Sequence, residues 1–65
     1  MITLTGTYKN RDAIRNTLED LLATGIDREK VFVDEDHTQI KVMVPDAIRN
    51  EVTEILNRHQ PTELH

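Results

Sequence analysis

The sequence predicts a small α+β domain with the element order β-α-β-β-α. In two short segments, Ile2–Tyr8 and Thr38–Val44, apolar residues alternate with others, which is the period of a strand with one face on a core, and Val31-Phe32-Val33 forms a third short segment of strand-forming residues. In two longer segments apolar residues recur every three or four residues, as in an amphipathic helix. The chain has 65 residues, so we expect one domain over residues 1–60. Pro61 ends the last helical pattern, and we expect residues 61–65 to be a frayed tail.

The first half of the chain reads as a strand followed by a helix. Ile2–Tyr8 alternates, with Gly6 on the inward face, where it allows close approach of a helix or marks a bulge. Asn10 is a suitable N-cap for a helix that runs to about Thr24. Gly25 then predicts a left-handed helix end.

The second half reads as a hairpin followed by a helix. Lys30–Asp34 and Thr38–Val44 are the second and third predicted strands, and the polar residues between them form the turn. The second helix is expected from Pro45 or Asp46 to His59, where Pro61 follows shortly.

These elements leave few topologies. A right-handed crossover makes the first two strands parallel, and the hairpin pairs the second strand with the third. The first strand can then join only beside the third. We therefore predict a two-layer sandwich, with a three-stranded mixed sheet of order 1-3-2 and two helices on one face. This is a truncated ferredoxin-like plan that lacks the last strand.

One short repeat links the two helices. The sequence Asp12–Asn16 recurs as Asp46–Asn50, and the apolar stripes that follow keep the same spacing. The repeat admits two interpretations, an ancient strand-helix duplication or the common demand of two helices on one sheet. We favour the second.

Composition excludes several classes of function. Eight basic and twelve acidic residues give a net charge of −4, which argues against nucleic acid and anionic membrane as partners. The chain has no cysteine, which excludes disulfides and thiol chemistry. No apolar run is long enough for a transmembrane helix, and no signal peptide opens the chain, so we expect a cytoplasmic protein.

Catalytic motifs are absent from the sequence, and we predict a protein that is not an enzyme and needs no cofactor. The chain contains neither a nucleophile motif nor a glycine-rich phosphate loop. The turn Asp34–His37 is the densest set of metal-ligand residue types, but it lacks the calcium-loop pattern. We interpret it as a solvated turn, and His59 as a helix-end residue, so no metal site is predicted.

A basic cluster opens the first helix. Lys9, Arg11 and Arg15 lie near the predicted helix N-terminus and could receive an anion there. A solvated face, paired with Asp12 and Glu19, is the interpretation we favour.

The outward face of the sheet is the other candidate surface. Strand alternation places five side chains there: Phe32, Met43, Thr3, Thr5 and Lys41. Because no predicted element covers the apolar pair on this face, we expect it to be an association surface of a symmetric homodimer. Edge-to-edge pairing of strands is the competing geometry.

A family resemblance extends over nearly the whole chain and rests on aliphatic and glycine positions. Thr5-Gly6-Thr7-Tyr8 precedes a helix ending Leu21-Leu22-x-x-Gly25-Ile26, and Val31-Phe32-Val33 follows. The alternating strand Ile40–Val44 then leads to Ile55-Leu56-Asn57-Arg58-His59. With these motifs the chain resembles the bacterial general stress (heat-induced) protein domain, although Gln60 stands where that family typically has glycine. The resemblance implies a small cytoplasmic β-α-β-β-α domain with no established catalytic residues.

Two functional hypotheses follow. The first is a non-enzymatic interaction or regulatory module, stress-related by resemblance, that associates through its open sheet face. It would act with an unknown protein partner besides a second copy of itself. The alternative is a small-molecule or anion-binding domain that uses the basic start of the first helix.

Overall fold

A computed structural model describes all residues from Met1 to His65. The strands and helices are β1 Ile2–Thr7, α1 Arg11–Thr24, β2 Val31–Asp34, β3 Gln39–Val44, α2 Arg49–Arg58 and β4 Glu63–Leu64. Short 3₁₀ turns at Arg28–Lys30 and Asp46–Ile48 precede β2 and α2. The predicted α+β class is confirmed.

The sheet is larger than predicted. Its four strands lie in the order β2-β3-β1-β4, and every neighbouring pair is antiparallel. The predicted three-stranded mixed sheet of order 1-3-2 is therefore wrong, because a fourth strand pairs with the outer side of β1. With β4 in place, the element order and strand order are those of the complete ferredoxin-like plan.

The last residues form this extra strand instead of the expected frayed tail over 61–65. Thr5 and His65 exchange two main-chain hydrogen bonds of 2.7 and 2.8 Å, and the Thr62 N–H donates to the Thr7 carbonyl at 2.7 Å. Leu64 packs against the core opposite Gly6. Two residues are too few to show a strand period, so only the pairing with β1 identifies β4.

Both ends of α1 agree with the prediction. The Asn10 side-chain oxygen accepts the Ala13 N–H at 2.9 Å, which caps the first turn. Gly25 has φ 106°, and its N–H and that of Ile26 return to the carbonyls of Leu22 and Leu21.

The second helix is shorter than predicted at its start. Asp46–Ile48 forms a 3₁₀ turn, and the α-helix begins only at Arg49. At its other end Gln60 has φ 58° and donates its N–H to the Asn57 carbonyl at 3.0 Å. A glutamine therefore holds the left-handed position that helices usually give to glycine.

One core of eleven buried side chains fills the space between the sheet and the helices: Leu4, Tyr8, Ile14, Leu21, Val31, Ile40, Val42, Val44, Val52, Ile55 and Leu56. Tyr8 is 1% exposed, and its hydroxyl donates to the Leu56 carbonyl at 2.7 Å. The ring lies over Gly6, where an added Cβ would come within 2.9 Å of Tyr8 Cε1. Gly6 therefore makes room for this ring, and its role is not that of a bulge.

We expect Gly6→Ala to destabilise the protein by about 1–3 kcal/mol, because the new methyl group overlaps the Tyr8 ring. Urea unfolding followed by circular dichroism measures the loss. In a Tyr8→Leu background the ring is gone, and the same substitution should cost clearly less. An equal cost in both backgrounds would show that the ring is not the reason for the glycine.

We expect Gln60→Gly to stabilise the protein by about 0.5–1 kcal/mol, because glycine adopts the left-handed conformation without a steric penalty. For a domain of this size the melting temperature should rise by roughly 2–8 °C. Gln60→Ala is the matched control, since it removes the side chain and keeps the penalty. If alanine raises the melting temperature as much as glycine, backbone strain is not the cause.

Candidate functional site

The outer face of the sheet carries the five predicted association residues. Lys41 lies between Phe32 on β2 and Thr5 on β1, which makes one cross-strand row. Met43 is opposite Thr3 in the next row. Phe32 is 52% exposed, whereas Met43 is only partly exposed. The structure therefore brings these side chains onto one face, with Phe32 as its prominent member.

The rest of this face is polar. Gln39 lies opposite Thr7, to whose hydroxyl it donates a 3.3 Å hydrogen bond, and Glu63 lies on the other side of Thr7. No other large apolar side chain of the sheet is as exposed as Phe32. The face is thus a polar surface around a single aromatic ring, with less apolar area than expected from the sequence.

The open edge of β2 has only one residue with free main-chain groups. Along β1, Thr5 and Thr7 bond to the last segment of the chain, so the alternate residues bond to β3. The same alternation, carried across β3, turns the main-chain groups of Val31 and Val33 toward the open side of β2. The Val31 N–H bonds to the Arg28 carbonyl, and the Val31 carbonyl accepts Arg28 Nη1 at 3.2 Å. The main-chain N–H and carbonyl of Val33 therefore have no hydrogen-bond partner within the chain.

A groove runs beside this edge, between β2 and α1. Its larger part, about 740 Å³, is lined by Leu18, Arg28, Val33, Asp34, Glu35 and Asp36. Its smaller part, about 280 Å³, is lined by Arg11, Ile14, Arg15, Leu18, Val33 and Glu35. The two parts share Leu18, Val33 and Glu35, and charged side chains make up most of the remaining lining. Sequence reasoning missed it, because helix and strand become neighbours only in the folded chain.

The predicted anion-binding residues are divided by the structure. Arg11 and Arg15 share the smaller part of the groove, one helical turn apart. Lys9 is exposed before the helix and does not line the groove. The Glu35 carboxylate faces the same space, so a bound anion would meet both signs of charge.

The turn between β2 and β3 is organised by Asp34. One carboxylate oxygen accepts the His37 N–H at 3.2 Å, and the other lies 2.8 Å from His37 Nδ1. The hydrogen bond from the His37 side chain, with that from its main chain, lowers the pKa of Asp34 below its ordinary value. No three metal-ligating side chains converge here or elsewhere in the chain.

A second polar cluster joins the ends of the two helices. The Asp20 carboxylate on α1 accepts Arg58 Nη1 at 3.0 Å and lies 2.9 Å from His59 Nε2. The side chains of Asp20 and His59 are each 22% exposed. The sequence showed His59 at the end of a helix, but only the fold shows that its partner is Asp20.

Buried polar groups of the core are satisfied within the chain. The Thr17 hydroxyl, which is buried, donates to the Ala13 carbonyl at 2.7 Å. Burial raises the pKa of the Tyr8 phenol, and the neighbouring Thr17 hydroxyl partly opposes this rise. Tyr8 thus serves as a structural donor to the Leu56 carbonyl.

Comparison of the chain with family models, with curated proteins and with solved structures finds no match. The resemblance to the general stress protein domain therefore stays a prediction. Neither helix has the length and hydropathy that crossing a membrane requires.

We expect the pKa of Asp34, followed by NMR as pH falls, to lie below the ordinary value of 3.8, and His37→Ala to move it back toward that value. Because the folded pKa is the lower one, this contact stabilises the fold above the unfolded pKa. The contribution is lost as the pH falls through the folded pKa. His65→Ala, just beyond β4, should leave the Asp34 titration unchanged. An unshifted Asp34 in the wild type contradicts the assignment.

Proposed function

We propose that the protein is a non-enzymatic interaction module whose binding surface is the outer sheet face around Phe32. The observation that carries the proposal is the 52% exposure of this ring on the outer face of β2, an edge strand of the sheet. Aromatic rings surrounded by short polar side chains are typical anchors of protein interfaces. The partner in this proposal is another protein.

The neighbours of Phe32 support this role. Lys41 and Thr5 continue its cross-strand row, and Met43 with Thr3 forms the next one. Threonine side chains are short enough to let a partner approach the ring closely, and they offer hydroxyls for hydrogen bonds. Lys41 gives the centre of the face a positive charge that would favour an acidic patch on the partner.

A stress-related role is the part of the proposal that rests on family resemblance. The anion-binding alternative is less well supported, because Glu35 shares the groove with Arg11 and Arg15 and Lys9 lies outside it. The exposed Phe32 ring is also unused by that alternative, so we place the function on the sheet.

We expect Phe32→Ser to weaken binding of the natural partner at least tenfold, because the aromatic ring that the partner would bury is lost. The measurement compares proteins captured from the native cell by immobilised wild type and variant, and then the affinity of each captured protein. Ala47→Ser, on the 3₁₀ turn before α2, is the matched control and should bind as the wild type does.

Equal capture by wild type and Phe32→Ser would refute the outer face as the binding surface. A rise in melting temperature with inorganic phosphate, lost in Arg15→Gln, would favour the anion-binding alternative instead.

A further inference from the structure

We propose that a second copy of this chain pairs with β2 along its open edge, antiparallel and about a two-fold axis, so that two four-stranded sheets become one. The dimer would enlarge the proposed binding surface, and in that respect the inference rests on the proposed function. The second copy would bring its own Phe32 to the same outer face and complete the binding surface there.

The main chain selects the pairing register. Val33 is the residue of β2 whose N–H and carbonyl face the open side without a partner, since Arg28 occupies those of Val31. A two-fold axis beside Val33 lets it exchange two hydrogen bonds with the partner's Val33. Arg28 limits further ladder bonds, so we expect a dimer that dissociates on dilution.

The charges around β2 are complementary to their own copy. Arg28 and Lys30 precede the strand, together with Asp27 and Glu29, and acidic residues end and follow it, from Asp34 to Asp36. Antiparallel pairing therefore sets the two basic side chains that precede the strand against the acidic turn of the other copy, twice in one dimer. In the Val33 register Lys30 lies across from the partner's Asp36, and Arg28 lies near the partner's Glu35.

The helical layer shows the same self-complementarity. Leu18 lines the groove beside β2, and Leu22, one turn further along α1, is 37% exposed. The two-fold axis makes the α1 helices of the two copies antiparallel. The half of the helix with Arg11 and Arg15 then lies beside the half of the partner helix that carries Glu19 and Leu22.

This arrangement would place a second Phe32 ring on the outer face. In the Val33 register Phe32 and the partner's Phe32 are diagonal neighbours across the seam, at about 7–8 Å between Cα atoms. Two rings then form one aromatic surface, whereas each monomer has a single ring among polar side chains. Packing the two outer faces on each other, which the sequence favoured, would instead bury Lys41, Gln39 and the threonines.

The test is a charge exchange in the full-length chain. Sedimentation equilibrium over a range of concentrations should show a dimer for the wild type. Lys30→Glu alone and Asp36→Lys alone should each raise the dimer dissociation constant about tenfold, because each places like charges together at two symmetric contacts. The double variant Lys30→Glu/Asp36→Lys should recover the wild-type value. Within one chain these two side chains form no ion pair, so recovery reports contact between copies.

Two further variants separate the geometries. Val33→Pro removes the N–H that faces the open side and should give a folded monomer. Phe32→Ser should remain dimeric, even though it loses the protein partner. A monomeric wild type, a double variant that fails to recover, or a dimer lost in Phe32→Ser would overturn the edge pairing. None of these sedimentation results depends on capture of the protein partner. The edge pairing and the proposed function can therefore be refuted independently of each other.

Discussion

The hydrogen bond from the Tyr8 hydroxyl to the Leu56 carbonyl, with the Tyr8 ring packed over Gly6, ties the two layers of this domain together. It joins the end of β1 to the end of α2, forty-eight residues apart in sequence. Thr17 on α1 also contacts the phenol. A domain of this size has a small core. Because Tyr8 contacts one strand and both helices, it contributes much to fixing how these three elements pack together.

Tyr8 also determines which side chains lie on the outer face of the sheet. Its ring draws the inner face of β1 onto the helices, which leaves Thr3 and Thr5 on the opposite face. The main chain of Tyr8 bonds to Thr38 at the end of the hairpin turn. The hairpin is thereby attached to β1, and Phe32 is held on the outer face beside Lys41.

The outer sides of β1 and β2 differ in how many of their main-chain groups are hydrogen-bonded. The β1 edge is covered by β4, which satisfies the main-chain groups of Thr5 and Thr7. The β2 edge is covered only in part, because Arg28 takes the groups of Val31 and leaves those of Val33. Proteins commonly protect edge strands from unwanted pairing. The proposed dimer uses this single open position, where the N–H and carbonyl of Val33 can bond to one antiparallel strand.

The sequence by itself determined the class of the fold, the ends of α1 and the residues of the outer face. These features depend on local period and on capping residues such as Asn10 and Gly25, which act within one turn of the chain. Tertiary structure alone decided β4, the role of Gly6, the groove beside β2 and the partner of His59. Each of these depends on residues far apart in sequence: Leu64 pairs opposite Gly6, and Asp20 meets His59 only when α1 and α2 pack on the same face. A two-residue strand or a shared groove has no period of its own, so no local pattern could have revealed it.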